Sequence, residues 1–209
     1  MNRYKTEQEE FWATEFGDNY IHRNKGEKLL ASNLVFFTKA LDQAHNVNSI
    51  LEFGSNIGMN LKAIKLLKPD IDCNAIEINP NAIKILEGLI GKDSVFHGSI
   101  FDYKIKKTVD LSLIKGVLIH INPSMLNDVY SKLYESSNKY ILIAEYYNPS
   151  PVSIDYRGHK DRLFKRDFAG EFMDKYKDVS LIDYGFEYRR DPNYPQDDIT
   201  WFLFEKKNI

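Results

Sequence analysis

With 209 residues, 43% of them apolar, and a formal net charge of −2, the chain suits one globular core of ordinary composition. No apolar run approaches the ~20 residues that a membrane-spanning helix needs, and the first ten residues lack the apolar stretch of a secretory signal. The near-neutral charge disfavours nucleic-acid binding by phosphate neutralisation, and the single cysteine, Cys73, permits neither an internal disulfide nor a cysteine-based metal site. We expect a cytoplasmic protein with no metal ion, nucleic acid or membrane among its partners.

The N-terminal residues 1–24 are rich in aromatic side chains and are predicted to form a short helix and a turn. We interpret Phe11 and Phe16 as padding for the helix that follows. Tyr20 and Arg23 have polar tips and are better suited to contact a ligand. The segment is therefore predicted to be a cap or lid, and the alternative is that all of it serves as padding.

A long amphipathic helix is predicted next, from about residue 25 to residue 44. Its apolar residues Leu30, Leu34, Phe37 and Leu41 recur at intervals of four, three and four, which places them on one helical face. We expect this face to lie on a sheet.

The stretch from Ile50 to Asn60 reads as a short buried strand, a glycine-bearing turn and the first turn of a helix. Gly54 and Gly58 have no Cβ to obstruct a close approach of the backbone, and Asn56 tolerates a left-handed conformation. A strand–loop–helix joint of this kind points backbone N–H groups and a helix N-terminus at a ligand. The pattern predicts a nucleoside-containing cofactor.

Strands and helices then alternate along the chain. Helices are predicted before Pro69, after Asn79-Pro80 and after Asn122-Pro123, and strands at residues 73–78, 94–98, 109–114 and 140–145. Two last strands, at 180–184 and 199–205, have no helix between them and should pair antiparallel at the sheet edge. We predict a single α/β domain: a mainly parallel seven-stranded sheet with a C-terminal antiparallel hairpin and helices on both faces.

In such a sheet, ligands bind at the carboxyl ends of the strands. Glu77 ends the second strand, 25 residues after Glu52, where an acid accepts hydrogen bonds from the ribose hydroxyls of an adenosine. Taken alone, Glu77 reads equally well as a surface acid. Ser99 and Ile100 follow the third strand. The small polar side chain is suited to contact the rim of an adenine ring, and the apolar one to cover its face.

These stretches, together with residues 115–121, resemble the class I S-adenosylmethionine-dependent methyltransferases, and the strand pattern covers about residues 25–207. The chain also resembles the methylases associated with pseudaminic acid biosynthesis, in the Gly-Ser-Asn-Ile-Gly-Met-Asn loop and in four further segments, residues 11–24, 115–123, 145–166 and 195–205. The resemblance implies a Rossmann-like methyltransferase domain over residues 25–209 and S-adenosyl-L-methionine as cofactor.

The resemblance implies that Glu52 and the loop backbone hold the methionine part, that Glu77 holds the ribose and that Ser99 and Ile100 flank the adenine. The cofactor-binding residues predicted are Tyr20, Arg23, Glu52, Gly54, Ser55, Asn56, Gly58, Glu77, Ile78, Ser99, Ile100, Lys115 and Gly116. Asn56 and Ser99 depart from the family pattern, which often has Gly and Asp at these positions.

Two alternatives to a methyltransferase stay open. A dinucleotide-binding oxidoreductase is disfavoured because the loop lacks the second and third glycines of Gly-x-Gly-x-x-Gly. A regulatory or interaction protein that binds S-adenosylmethionine without turnover would keep the same loop and Glu77.

His120 follows the fourth strand on the cofactor side and is the predicted catalytic residue. Methylation of a hydroxyl needs a base, and a histidine pKa near ~6.5 suits that role. The alternatives are a histidine that only orients the acceptor and one that is purely structural. Methyl transfer is a direct displacement, so alignment of donor and acceptor matters more than covalent help.

The acceptor is predicted to bind beyond the fifth strand, in a substrate-side insertion at about residues 146–166. The predicted substrate-binding residues are Glu145, Tyr146, Tyr147, Arg157, His159 and Arg162. Arginine pairs with phosphate or carboxylate, which predicts a small, anionic acceptor, although a solvated loop explains such a charge run equally well. The narrower resemblance implies O-methylation of a sugar, nonulosonic acid or nucleotide-activated precursor in bacterial surface-glycan biosynthesis. The sequence leaves the oligomeric state open.

Overall fold

The computed structural model describes residues 4–156 and 158–207, without the side chains of residues 22, 23 and 159–161. Its helices are α1 (Glu7–Ala13), α2 (Glu15–Arg23), α3 (Glu27–Ala40), α4 (Met59–Leu67), α5 (Pro80–Ile90), α6 (Leu126–Ser136) and α7 (Phe168–Lys175). Its strands are β1 (Ser49–Phe53), β2 (Asp72–Glu77), β3 (Val95–His97), β4 (Val109–Lys115), β5 (Ser137–Glu145), β6 (Val152–Tyr156), β7 (His159–Lys165), β8 (Val179–Glu187) and β9 (Ile199–Lys206).

Seven strands form one sheet in the order β3-β2-β1-β4-β5-β9-β8. The first five are parallel to one another, and β9 inserts antiparallel between β5 and β8. The strand order changes direction between the neighbouring strands β1 and β4. Open parallel sheets bind ligands at the carboxyl ends of the strands at this point. The predicted sheet and its C-terminal antiparallel hairpin are confirmed.

Helices cover both faces of the sheet, as predicted. On one face α3, α4 and α5 bury Phe36, Leu61 and Leu86 against the strands. On the other, α6 and α7 bury Val129 and Phe172. Within the described residues, no helix is long and apolar enough to cross a membrane.

Local sequence signals fix several of the helix ends. Asn79 accepts hydrogen bonds from the N–H groups of Asn81 and Ala82, with Pro80 in the first turn of α5 as predicted. Thr6 and Glu9 form a reciprocal capping box at the start of α1. These side chains accept hydrogen bonds from backbone N–H groups in the first turn, which fixes the residue at which each helix begins.

The predicted element bounds need three corrections. The N-terminal segment forms two helices, because Thr14 between them is extended. Helix α3 starts after Gly26, whose φ of 118° is incompatible with a helix, and ends at Ala40, whereas the prediction ran from about residue 25 to residue 44. A short 3-10 turn, Pro123–Met125, precedes α6 at the predicted Asn122-Pro123 start.

The substrate-side insertion contains a two-stranded hairpin, β6–β7, which the sequence pattern did not predict. Its ends are close together, because the N–H of Asn148 donates to the carbonyl of Arg166. Leu163 and Phe164 of β7 are buried against the rest of the chain. The hairpin is therefore anchored beside the carboxyl ends of the parallel strands.

Candidate active site

A cavity of about 500 Å³ opens at the carboxyl ends of β1 to β4, within the ~300–1,000 Å³ range of small-molecule sites. Helices α1 and α2 contribute Glu9, Trp12 and Tyr20 to its wall. Most of the predicted cofactor-binding and catalytic residues line it: Tyr20, Gly54, Ser55, Asn56, Glu77, Ile78, Ser99, Ile100, Lys115, Gly116 and His120, joined by Tyr146 from the substrate side.

The remaining predicted residues are placed elsewhere or fall outside the described residues. Those absent from the wall are Glu52, Gly58, Glu145, Tyr147 and Arg162. Arg157 and the side chains of Arg23 and His159 lie outside the described residues.

The glycine loop follows β1 and contacts the ends of β2 and β4. Gly54 has a φ of 73° and Asn56 a φ of 49°, both in the left-handed region that the sequence predicted for this turn. A Cβ on Gly54 would lie 2.7 Å from Cγ2 of Val117, which follows β4. The N–H groups of Gly54 and Ser55 donate to the carbonyl of Ile76 in β2. The close approach at Gly54 is thus to the protein's own β4 segment.

Glu77 is buried on the cavity wall and is held rigidly. Its carboxylate accepts hydrogen bonds from the N–H groups of Asn56, Ile78 and Asn79 at 2.6, 2.9 and 2.7 Å. Burial raises the pKa of Glu77, and these hydrogen bonds oppose the rise. Oε1 accepts two of these hydrogen bonds and Oε2 only one, so Oε2 retains lone-pair capacity for a further donor, such as a hydroxyl.

Beyond β3, the wall combines a capped turn with an acid from the N-terminal segment. The Ser99 hydroxyl accepts from the N–H of Phe101 and caps the 3-10 turn Ile100–Asp102. Glu9 Oε2 accepts from the N–H groups of Lys5 and Thr6. Glu9 Oε1 is buried on the same wall, and no hydrogen-bond partner is found for it among residues 4–156 and 158–207.

His120 is buried and held in one tautomer. Its Nδ1 lies 2.6 Å from the carbonyl oxygen of Arg162 in β7. Because a carbonyl oxygen only accepts, Nδ1 carries the proton. Burial lowers the pKa of His120 to about 4, so the ring is neutral at pH 7 and Nε2 bears a free lone pair. The rings of Trp12 and Tyr156 lie 4.6 and 5.1 Å from the imidazole.

Glu145 fixes the turn that carries His120. Its carboxylate accepts from the N–H groups of Val117 and Leu118 at 2.9 and 2.8 Å, and from Ile119 at 3.4 Å. Burial raises the pKa of Glu145 to about 7, against these hydrogen bonds and the nearby Lys115. Glu145 faces backbone amides, so its contacts assign it to positioning the 3-10 turn Leu118–His120.

Several solved structures have this arrangement of strands and helices. The 1,6-didemethyltoxoflavin-N1-methyltransferase of Burkholderia thailandensis is 10% identical, with a TM-score of 0.70 over 96% of this chain and 87% of that one. The mitomycin 7-O-methyltransferase is 12% identical, with a TM-score of 0.66 over 96% and 61% of the two chains. An S-adenosylmethionine-dependent methyltransferase from Archaeoglobus fulgidus is 16% identical, with a TM-score of 0.62 over 92% and 100%.

The chain has the class I methyltransferase fold. Identities this low establish the fold alone. Comparison with protein-family models found no match, and comparison with curated proteins also found none.

On this methyltransferase fold, three cationic side chains of the substrate-side insertion have partners within the chain. Arg162 forms an ion pair with Glu7 at 2.9 Å. Arg166 pairs with Glu171 at 2.7 Å. The Nζ of Lys165 lies 5.0 Å from the ring centre of Tyr146. These contacts dock the hairpin onto the fold, and none of these three cationic side chains is among the residues that line the cavity.

The wall residues that sequence reasoning did not assign to the site include the amide side chains of Asn33, Asn60 and Gln196. Asn33 is the one with a usable signal: it falls on the apolar face of the predicted helix, between Leu30 and Leu34, and is buried. A polar residue inside an apolar stripe indicates a specific partner. Within the described residues, no group of three or more His, Cys, Asp or Glu side chains is placed to hold a metal ion.

Proposed function

We propose that this protein is an S-adenosylmethionine-dependent methyltransferase that acts on a hydroxyl of a small polar acceptor, with His120 as general base. The observation that carries the proposal is the neutral His120, with Nε2 unprotonated, in the same cavity as the glycine loop and Glu77. That combination supplies a nucleoside site and a base in one enclosed volume.

The wall residues fit an adenosine-containing cofactor. Glu77, locked by three backbone N–H groups, accepts from the ribose hydroxyls, and Ile78 lies next to it. Ser99 and Ile100 flank the adenine, and Ser55, Asn56 and Gly116 border the methionine part. Glu9 Oε1, for which no hydrogen-bond partner is found among the described residues, supports further acceptor capacity on this wall. The cofactor supplies an electrophilic methyl group on its sulfonium.

The chain's own contribution to the chemistry is proton removal and alignment. His120 Nε2 takes the proton of the acceptor hydroxyl, while Nδ1–H remains on the Arg162 carbonyl. Glu145 keeps the turn of His120 in place through three N–H groups. Trp12 and Tyr156 flank the imidazole and restrict water around it.

The class of acceptor is inferred from two structural neighbours and from the protonation state of His120. The two named neighbours with known acceptors methylate small molecules, one at nitrogen and one at oxygen. The neutral base His120 favours oxygen here. An anionic acceptor from surface-glycan biosynthesis, implied by the narrower resemblance, stays a prediction, and Tyr146 is a predicted substrate-binding residue that lines the wall.

Two measurements test the proposal. We expect S-adenosylhomocysteine to bind in isothermal titration calorimetry, and a panel of sugar nucleotides, nonulosonic acids and phenols to include an acceptor that releases it from S-adenosylmethionine. His120→Asn keeps an N–H donor for the Arg162 carbonyl but removes the base. It should lower the transfer rate by about 10²- to 10⁴-fold and leave S-adenosylhomocysteine affinity within twofold.

The matched control is His97→Asn, because His97 is exposed at the end of β3 and absent from the cavity wall. It should transfer methyl groups at the wild-type rate. Unchanged transfer in His120→Asn would show that His120 is not the base, and no binding of S-adenosylhomocysteine to folded protein would refute the function as a whole.

A further inference from the structure

The part of the cavity next to His120 is lined by aromatic side chains from four separate elements. Trp12 belongs to α1 and Tyr20 to α2, while Tyr146 follows β5 and Tyr156 ends β6. All four line the cavity, and all four are only half-buried. We call these four residues the aromatic wall.

Ring contacts join the aromatic wall to the imidazole. The rings of Trp12 and Tyr156 lie 4.6 and 5.1 Å from that of His120, each tilted by 56°. The ring of Tyr20 lies 5.0 Å from that of Trp12 and nearly perpendicular to it. Burial raises the pKa of Tyr146, and the two other tyrosines are among the groups that raise it further, so Tyr146 lies near both of them. The four rings therefore form one group beside the proposed base.

The charges around the cavity disfavour an anionic acceptor. The described side chains that line it include three acids and one cation, namely Glu9, Glu77, Asp197 and Lys115. Asp197 is close enough to Lys115 to oppose the burial that lowers the pKa of the lysine. Because the cation already has an acid beside it, a second anion gains little attraction there and meets repulsion from the other acids. A neutral acceptor avoids this repulsion.

We propose that the acceptor is a neutral phenol whose ring packs against the aromatic wall, an inference that rests on the proposed function. Aromatic rings attract one another in offset and edge-to-face arrangements beyond the effect of the area that they bury. Because Trp12 and Tyr156 flank the imidazole, a ring packed against them has its hydroxyl next to His120. This acceptor class differs from the anionic one that the narrower resemblance implies.

The strength of the base favours the same class. A pKa of about 4 makes the neutral His120 a weak base. A phenol loses its proton with a pKa of ~10, as the tyrosine side chain does, whereas bulk water, which an aliphatic hydroxyl resembles, has a pKa of ~15.7. His120 is therefore better suited to take the proton of a phenol than that of a sugar hydroxyl.

The transfer to a phenol balances without a further reactant. The phenol O–H bond breaks, and its proton passes to Nε2 of His120. The oxygen forms a bond to the methyl carbon, while the S–CH₃ bond of S-adenosylmethionine breaks and its electron pair stays on sulfur. The products are an aryl methyl ether, S-adenosylhomocysteine and a proton that His120 releases to solvent.

The test compares two acceptors that differ in the saturation of one ring, 4-ethylphenol and 4-ethylcyclohexanol. Each is titrated into the full chain saturated with S-adenosylhomocysteine, and binding is measured by calorimetry. We expect the Kd of 4-ethylphenol to be at least about fivefold lower, because only the planar ring makes aromatic contacts. With S-adenosylmethionine, 4-ethylphenol and not 4-ethylcyclohexanol should release S-adenosylhomocysteine.

Substitution of Trp12 separates ring recognition from support of the fold. Trp12→Leu should raise the Kd of 4-ethylphenol by about 3- to 10-fold and change the Kd values of 4-ethylcyclohexanol and S-adenosylhomocysteine by less than twofold. Trp12→Phe keeps an aromatic ring and should restore most of the phenol affinity. The control is Tyr184→Leu, because Tyr184 is an exposed aromatic residue of β8 that does not line the cavity. It should bind all three ligands like the wild type.

The outcomes separate this inference from the proposed function. If the folded wild type does not bind S-adenosylhomocysteine, the proposed function is wrong. If it binds S-adenosylhomocysteine but binds 4-ethylphenol no better than 4-ethylcyclohexanol, or methylates a sugar nucleotide or nonulosonic acid and no phenol, only the phenol assignment is overturned. Equal weakening of all three ligands in Trp12→Leu would show that Trp12 supports the fold and does not recognise the acceptor ring.

Discussion

At the scale of single residues, burial moves the pKa values of the acids and of the base at this site in opposite directions. It raises the pKa of Glu52 and of Glu145 to about 7 and lowers that of His120 to about 4. In each case the neutral form is favoured, because a charged group loses hydration on leaving water. Burial thus keeps His120, the proposed general base, in the neutral form at pH 7, while a pKa of about 4 makes it a weaker base than a solvent-exposed histidine.

The lowered pKa of His120 predicts a pH-dependent stability. The unfolded chain binds a proton near pH ~6.5 and the folded chain only near pH 4, so the stability present above pH ~6.5 is lost as the pH falls towards 4. The full loss amounts to roughly 3 kcal/mol. The unfolding free energy of the wild type minus that of His120→Asn should therefore decrease over this range in urea denaturation.

The two glutamates act in the opposite sense. A pKa raised from 4.5 to about 7 gives stability that is present below pH 4.5 and lost as the pH rises through 7. The unfolding free energy of the wild type therefore contains contributions that change with pH in opposite directions. For this reason the prediction concerns the difference in unfolding free energy between the wild type and His120→Asn. A wild-type minus His120→Asn difference that is flat from pH 7.5 to pH 4 would contradict the lowered histidine pKa.

At the scale of elements, two segments outside the parallel sheet complete the site. Hairpin β6–β7 supplies the Arg162 carbonyl that fixes the His120 tautomer. Helices α1 and α2 supply Trp12 and Tyr20 to the wall, and Asp18 of α2 accepts hydrogen bonds from Asn79 and Asn81 at the start of α5. In the proposed function, the sheet positions the cofactor and these two elements enclose the side on which the reaction takes place.

The docking of α1 and α2 depends on a close approach at Gly17. A Cβ there would lie 1.9 Å from the carbonyl oxygen of Trp12 and 2.8 Å from Nδ2 of Asn79. Gly17→Ala should therefore displace the N-terminal helices and weaken S-adenosylhomocysteine by at least several-fold in calorimetry, although alanine is the better helix former.

Gly88→Ala is the matched control. Gly88 lies in the exposed part of α5, and a Cβ there would meet no atom within 4 Å. This variant should raise the unfolding free energy by about 0.5–1 kcal/mol and leave ligand binding unchanged. If Gly17→Ala binds S-adenosylhomocysteine as tightly as Gly88→Ala does, the N-terminal helices are not part of the cofactor site.

Local patterns predicted those elements whose stability comes from nearby residues. The cap at Asn79 and the left-handed Asn56 follow from side-chain chemistry within a few positions. Hairpin β6–β7 was missed because the pattern in β7, His-Lys-Asp-Arg-Leu-Phe-Lys, is dominated by charge. Its strands are held by backbone pairing and by the docking of Leu163 and Phe164, which no local pattern reveals.

At the scale of the whole molecule, the alternation of strands and helices was sufficient to predict the sheet and its two covered faces. The chain of side-chain hydrogen bonds that runs from Lys115 through Gln196, Asn33 and Asn60 to Glu52 was not predictable in the same way. Asn33, Asn60 and Gln196 come from three segments that meet only after the sheet has formed. Single asparagines and glutamines are common on protein surfaces, so their meaning depends on partners up to 163 positions away in the chain.

The two core layers differ in their connection to the site, and this difference gives a last prediction. Phe36 and Phe172 are both fully buried, on opposite faces of the sheet. The Nζ of Lys115 lies 5.2 Å from the ring centre of Phe36, whereas Phe172 packs against Phe204 at 5.5 Å. Phe36→Leu and Phe172→Leu should each lower the unfolding free energy by roughly 0.5–3 kcal/mol.

Ligand then distinguishes the two substitutions. S-adenosylhomocysteine at 100 times its wild-type Kd should raise the unfolding free energy of the wild type by about 2.7 kcal/mol. Phe172→Leu should keep this increment, because distant sites add independently. Phe36→Leu should show a smaller increment, because Lys115, which lines the cavity, loses the ring beneath its ammonium group. Equal increments in both variants, measured by denaturant titration with and without ligand, would show that neither core layer is coupled to the cofactor site.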